Sequence, residues 1–390
     1  MMKKIQIGVV GIGDISDVYI KNLQQFDAIN ILACASRGLE KAKAKAEKFG
    51  IERPYASVDE LLHDNDIDLI LNLTTPLSHF EINKAALLAG KHVYTEKPLA
   101  ITFAEARELV TLASERGLRI GSAPDTFFGS RLQAFRELLD NGEIGTALGF
   151  GVYVAYRGPQ TFHPSPAFFY QKGAGPLLDI GPYYVTALLA LLGPVKRVSA
   201  MSNRLADQRI VEAGPAKGQV LDIEMDTHVV ANLEFTGGAV GTLVMSFDVW
   251  DSNLPRMEIY GSKGTLCMAE QDPIAGPNLF GGEALLRTEA NYRWYGLERG
   301  GDMPDWKPVD GDRPFNSTRH DKNSRGIGLV DMVYAMKDGR SHRASAEMAL
   351  HGIEVMESML VSAKERRFID MTTTFERPAA VKKNYLDELK

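Results

Sequence analysis

An apolar, β-branched run from Lys4 to Val10 ends in Gly11-Ile12-Gly13-Asp14-Ile15-Ser16, and a helical pattern continues through Tyr19, Ile20 and Leu23. A strand, a tight turn and a helix packed into so few residues leave few folds open. Gly11 supplies the backbone angles of the turn, and Gly13 keeps the main chain bare. A pyrophosphate could therefore approach and rest on the N–H groups of the helix start, around Ile12, Asp14 and Ile15. Ser16 stands where a third glycine is usual, but it is small enough for close helix-to-strand packing. Alone, this spacing is weak evidence; the strand before it and the helix after it give it weight.

The next apolar strand, Asn30 to Ala35, ends in Ser36-Arg37, about 20 residues beyond the turn, where an acid would hold the ribose 2′-hydroxyl of NAD. A hydroxyl and a guanidinium can instead bind a 2′-phosphate and neutralise its charge, which favours NADP over NAD. Ser36 equally suits an N-cap for the helix over 39–49, with Arg37 solvated. Helix and strand signals then alternate through a strand over 67–73, a helix over 78–89 stopped by Gly90, and a strand over 92–95. This rhythm predicts an α/β domain over 1–125 whose doubly wound parallel sheet is covered by helices on both faces.

Ligands bind outside the carboxyl ends of the strands in such a sheet. Thr74-Thr75-Pro76, Glu96-Lys97-Pro98 and Asp125 each follow a strand, so they are candidates to line the crevice, with Lys97 placed where chemistry could occur. For Lys97 the alternative is a solvated loop lysine, and for Asp125 a turn-forming residue beside Pro124. His79, in the first turn of a helix, could contact the cofactor, cap the helix or simply pack.

At 390 residues the chain exceeds one ordinary core and predicts a second domain over 126–390. There the period changes to alternation, with strands expected near 150–155, 195–202, 227–235, 239–249 and 257–260, and Gly237-Gly238 as a hairpin turn. The expectation is an α+β domain with a large open, mainly antiparallel sheet and helices on one face. An uncovered apolar face predicts a homodimer or homotetramer through that sheet. Residues 270–324 show no sustained period and read as a long excursion.

Within this half, Gly175-Pro176-Leu177-Leu178-Asp179-Ile180-Gly181-Pro182-Tyr183 opens an apolar helix running to Leu192. Asp179 and Tyr183, four apart, would share a helix face, and Arg157 and His163 upstream add a cation and a donor for a substrate.

A net charge of −6 without a dense Lys/Arg block argues against nucleic acid, and the apolar stretch 185–192 is far short of a membrane span. Cys34 and Cys267 lack the spacing of a metal site or disulfide framework, so no metal is expected and both thiols read as buried in a reducing compartment. The basic start at Lys3-Lys4 is interrupted by Gly8, Gly11 and Gly13 before any signal-like apolar core forms, which predicts a cytoplasmic protein.

The glycine turn, Ala89-Gly90-Lys91-His92-Val93 leading into Glu96-Lys97-Pro98, and Gly175 through Tyr183 occur in order, and together they resemble the Gfo/Idh/MocA oxidoreductases. The resemblance implies a Rossmann domain followed by a substrate-binding domain, and a dehydrogenase acting on a sugar, cyclitol or polyol. It implies that Lys97 reaches the substrate hydroxyl beside the nicotinamide and that the bond before Pro98 is cis. The family's second motif usually reads Asp-x-Gly-x-His-x-x-Asp; Asp179 and Gly181 match, but Tyr183 replaces the histidine and Thr186 the final acid. This departure is similar to the glucose–fructose oxidoreductase and dihydrodiol dehydrogenase branches.

A phenol titrates near ~10 in water, and a neighbouring Lys97 ammonium would stabilise its phenolate, so Tyr183 could exchange the hydroxyl proton with Asp179 orienting the groups. Lys97 would then be the meeting point of the two halves. Two other functions fit the resemblance: a redox-assisted NAD-dependent glycosidase, and a non-catalytic cofactor-sensing regulator.

Overall fold

The computed structural model describes residues 4–268, 282–291, 305–309, 324–383 and 385. They fall into two compact units. Unit 1 holds residues 4–129, 324–354, 381–383 and 385, and unit 2 the rest.

Unit 1 is built on a parallel sheet of β1 (Ile5–Val10), β2 (Ile29–Ala35), β3 (Arg53–Tyr55), β4 (Leu69–Asn72), β5 (His92–Thr95) and β6 (Ile120–Ser122), in the order β3-β2-β1-β4-β5-β6. The order reverses between β1 and β4, the switch point at which open α/β sheets bind ligands. Connecting them are α1 (Asp14–Leu23), α2 (Leu39–Phe49), α3 (Val58–Leu62), α4 (Pro76–Leu88) and α5 (Phe103–Glu115). Local chemistry sets their ends. Thr102 and Glu105 form a reciprocal capping box on α5, and Gly90 follows α4 with φ +76. Lys91 is buried, and its Nζ donates to the carbonyls of Asp64 and Ile67 at 2.8 and 2.9 Å, fastening the turn that leads into β4.

Unit 2 begins with α6 (Ser130–Asp140) and is organised by a mixed sheet of β7 (Ala147–Ala155), β8 (Val195–Asn203), β11 (His228–Phe235), β12 (Val240–Ser246), β13 (Met257–Gly261), β14 (Gly264–Met268), β15 (Ala284–Thr288), β16 (Lys307–Val309) and β17 (Ile369–Asp370). A separate ribbon pairs β9 (Gln208–Ile210) with β10 (Val220–Asp222). The large sheet runs β16-β15-β14-β13-β7-β12-β11-β8-β17. Every neighbouring pair is antiparallel except β7 with β12. The Gly237-Gly238 turn joins β11 to β12 as expected. One face is core: Val198, Leu233, Phe150, Ile259 and Leu266 share a register row and are all buried. On the other face a row of Met201, Val230, Val244 and Tyr153 crosses four strands, with Met201 80 % exposed.

The chain enters unit 1 again through α9 (Ile327–Asp338) and the first part of α10 (Ala346–Glu365). Ala346, Leu350 and Ile353 complete the core formed by Val93, Leu109 and Ile120. The single division expected at 125/126 therefore differs from the structure, because the amphipathic face of α10 serves unit 1 at its start and unit 2 beyond. Within the stretch 270–324, β15 and β16 are strands that the sequence pattern did not announce; most of the remaining residues there lie outside the described residues.

Candidate active site

The turn after β1 is bare for a reason that can be measured. Gly11 has φ +85, and a Cβ there would lie 2.5 Å from the backbone of Leu73 and Thr74, so only glycine fits. At Gly13 a Cβ would meet nothing within 4 Å. Gly13 is the N-cap of α1 and provides no side-chain cap, leaving open space in front of the helix start around Ile12, Asp14 and Ile15. These residues fit the pyrophosphate of a dinucleotide.

At the end of β2, Ser36 is half-buried and Arg37 exposed. The N-cap of α2 is Gly38, so the alternative that Ser36 caps this helix is corrected, while the helix itself spans Leu39–Phe49 as expected. No carboxylate occupies the two positions that directly follow β2.

The loops after β4 and β5 are held by a buried polar network. Asn72, Asn83 and His79 are all 0 % exposed. Asn72 Nδ2 donates to Asn83 Oδ1 at 2.8 Å, and Asn72 Oδ1 accepts from Thr74 N and Oγ1 at 3.1 and 2.7 Å. Asn72 O accepts from Glu96 N at 2.8 Å. His79 presents Nδ1 to Pro98 O at 2.6 Å and Nε2 to Thr74 O at 3.0 Å. Burial holds the His79 imidazole below its ordinary range, so the ring is neutral and donates from one nitrogen. Its position corrects the expectation of cofactor contact: His79 lies behind the two loops, with one ring nitrogen against a carbonyl of each, while Thr75 and Pro76 stand exposed at the start of α4.

Glu96, Lys97 and Pro98 follow β5, half-buried, and the Lys97–Pro98 bond is cis. Glu96 does not present its carboxylate outward: Oε1 accepts from Tyr19 Oη at 2.9 Å and Oε2 from Lys97 N at 2.8 Å. Asp125 departs further from the expected role. It is 1 % exposed, and its Oδ2 accepts from Gly326 N and Gly328 N at 2.8 and 3.1 Å, which anchors the start of α9. Desolvation on burial raises its carboxyl to about 6. A carboxyl committed to two backbone donors inside a core is a structural anchor, and the substrate-facing expectation is withdrawn.

In unit 2 the expected continuous helix is broken. α7 spans Pro176–Asp179 and α8 Gly181–Leu192, with Ile180 between them. Pro182 has no N–H to offer Leu178, so the ladder fails there. Asp179, half-buried, thus ends one helix, and Tyr183, 7 % exposed, lies in the first turn of the next. Tyr156 is buried close enough to Asp179 to feel its charge, and desolvation first, then Asp179, push its phenol well above the ordinary range. Arg157 is committed to an ion pair with Glu212 at 2.9 Å and lies over the Trp250 ring at 3.7 Å. His163 Nδ1 accepts from Ser165 N at 3.0 Å, and its ring packs edge-on against Phe168 and Phe169.

Sequence reasoning missed Asn72, Asn83 and Tyr19. For Asn72 there was a signal: a polar side chain inside Leu69-Ile70-Leu71-Asn72-Leu73, a strand otherwise apolar on both faces, must be paired internally. Among the described residues there is no cluster able to hold a metal, and no helix long and apolar enough to cross a membrane.

Residues 5–123 match a family model described as an oxidoreductase family with an NAD-binding Rossmann fold, and residues 132–267 match the GFO/IDH/MocA C-terminal domain. The chain is 27 % identical to a myo-inositol 2-dehydrogenase of Thermotoga maritima over 263 residues, covering 67 % of this chain and 74 % of that protein. It is 30 % identical to a trans-1,2-dihydrobenzene-1,2-diol dehydrogenase of Mus musculus over 262 residues, covering 66 % and 72 %. Among solved structures, an NAD binding oxidoreductase from Klebsiella pneumoniae superposes with a TM-score of 0.79 at 20 % identity, covering 95 % of this chain and all of that one, a likeness of fold.

Proposed function

The chain belongs to the GFO/IDH/MocA oxidoreductase family, and from that premise we propose that it is a dehydrogenase or reductase acting on one hydroxyl-bearing carbon of a sugar, cyclitol or related polyol, with NADP preferred over NAD. The observation that carries this reading is the placement of Lys97 at the carboxyl end of β5, in the same parallel sheet whose β1 ends in the bare glycine turn. The names of the relatives, which act on a cyclitol and on a cyclic diol, support the substrate class.

Gly11, Gly13 and the start of α1 would hold the pyrophosphate, with Thr75 and Pro76 bordering it. The nicotinamide, when bound, exchanges a hydride with the substrate carbon. Ser36 and Arg37 support the NADP preference, since the N-cap of α2 is Gly38 and leaves the Ser36 hydroxyl available. Lys97 handles the proton of the reacting hydroxyl; in unit 2 the Tyr183 phenol is a further candidate for proton exchange and the Asp179 carboxylate a candidate acceptor for substrate hydroxyls. Arg157 and His163, also in unit 2, are further candidates for polar contacts to the substrate.

A homodimer or homotetramer through the outer face of the nine-stranded sheet is part of the proposal, supported by the exposed Met201 with the half-buried Val230 and Tyr153 in the same row. The free, buried Cys34 and Cys267 support a reducing, cytoplasmic setting. A screen of sugars and polyols with NAD and NADP, following the absorbance of the reduced nicotinamide, tests the function. Turnover of at least one polyol class is expected. Cofactor binding with no turnover of any would contradict the proposal.

A further inference from the structure

The carboxylate of Glu96 is the link between two parts of unit 1 that the sequence separates by 77 residues. One oxygen, Oε2, accepts from the backbone N–H of Lys97 at 2.8 Å, and the other, Oε1, accepts from the Tyr19 hydroxyl at 2.9 Å. Tyr19 sits on α1, the helix that opens at Gly13, and is 0 % exposed. Its hydroxyl has little freedom to turn away. Beside the ring, a Cβ on Gly326 would already be 3.4 Å from Tyr19 Cδ1, so the return segment packs against it. That segment is tied to the same helix, because Asn22 Nδ2 donates to Arg325 O at 2.9 Å, and Arg325 Nε lies 3.7 Å from Glu96 Oε1. Burial, and then the Glu96 charge, keep the Tyr19 phenol well above its ordinary range, so it stays a donor.

We propose that Tyr19 and Glu96 are a positioning pair that fixes Lys97 relative to the helix at the glycine turn. The proposal rests on reading Lys97 as the proton-transfer residue. The backbone of Glu96 is already pinned, since its N–H donates to Asn72 O at 2.8 Å. What remains to be set is the next residue, and the Glu96 side chain sets it by holding the Lys97 amide. Without the Tyr19 hydroxyl, Glu96 Oε1 loses a buried donor and the carboxylate is free to swing toward Arg325. The Lys97 amide then loses its acceptor. Lys97 Nζ samples a wider volume, and a misplaced proton-transfer group costs rate while the cofactor's own contacts at the glycine turn are untouched.

The test uses the full-length chain with Tyr19→Phe, Glu96→Gln and Glu96→Ala. In the cofactor-free protein, residue-resolved amide exchange at Lys97 should quicken about tenfold or more in Tyr19→Phe and Glu96→Ala, as expected for a lost protecting bond. The amides of Gly326 and Gly328, which donate to Asp125, should keep their protection and show that unit 1 is intact. With cofactor and substrate, kcat should fall about 5- to 30-fold in Tyr19→Phe, with the cofactor Kd changed less than about twofold. Glu96→Gln, which retains one acceptor oxygen, should recover part of the loss seen in Glu96→Ala. Unchanged Lys97 amide exchange in both Tyr19→Phe and Glu96→Ala would overturn the positioning pair. If Tyr19→Phe lost Gly326 protection, Glu96→Gln and Glu96→Ala would decide by the same readout. Failure of the underlying reading is distinct: it would appear as full turnover in Lys97→Ala, whatever the exchange data show.

Discussion

The imidazole of His79 bridges two loops, with Nδ1 2.6 Å from Pro98 O and Nε2 3.0 Å from Thr74 O. One loop leaves β4 beside the glycine turn and the other carries Lys97. Together with Asn72 and Asn83, which are also fully buried, this histidine makes the carboxyl edge of the unit 1 sheet a fixed surface. Rigid first residues on rigid elements are what an active site of this kind needs.

Replacing His79 by leucine keeps most of the volume and removes the bridging donor. One buried carbonyl would lose its donor, so the variant should lose about 1–3 kcal/mol of unfolding free energy, read by urea denaturation. A cofactor-contacting histidine at the surface of the crevice would show no such loss, and an unchanged midpoint would argue for that role instead.

Stability should depend on pH with two opposing contributions. Burial lowers His79, His92 and His342 from the ordinary value of 6.5. The unfolded chain therefore takes up those protons first, and the fold loses stability as pH drops below about 6.5. Asp125 works the other way. Its folded value is raised from 3.8 to about 6, so the folded state binds the proton first and gains stability as pH falls from about 6 towards 4. Protonation leaves the Asp125 Oδ2 bonds to Gly326 and Gly328 available. The variant Asp125→Asn should thus fall more steeply than the wild type between pH 6 and 4 in chemical denaturation; parallel curves would contradict the buried, raised carboxyl.

Arg37→Ala should weaken NADP about tenfold or more while changing NAD little, as expected for the loss of a charge-assisted bond to a 2′-phosphate. Fluorescence titration with each cofactor measures this. Equal effects on both would remove the basis for the NADP preference.

Tyr183→Phe should lower turnover and remove one ionisation from the pH–rate profile, since the role proposed for the phenol is exchange of the substrate's hydroxyl proton. An unchanged profile would show that another group titrates.

Much of the fold was legible from sequence because its signals are local. The strand before Gly11, the helix after Gly13 and the alternation about Gly237-Gly238 each need only their neighbours to be read, and they appear at β1, α1 and the β11–β12 hairpin. The return of α9 and α10 to unit 1 was not legible, because an amphipathic helix does not state which core it faces until the whole chain is folded. The same physics separates the site residues. Gly11 is required by a backbone contact that recurs wherever this turn forms, whereas Asp125 looks like a crevice acid until Gly326 and Gly328, about two hundred residues on, supply their N–H groups. Tyr183 was singled out by its motif, but the break at Ile180, beside Pro182, puts Asp179 and Tyr183 on two separate helices where the spacing alone suggested one.

Whether Lys97 carries the proton transfer is read from turnover of Lys97→Ala with its best polyol substrate and saturating NADP, alongside cofactor binding to the same protein. The expected result is a loss of about a hundredfold or more in kcat with cofactor binding largely retained. Near-normal turnover would contradict it.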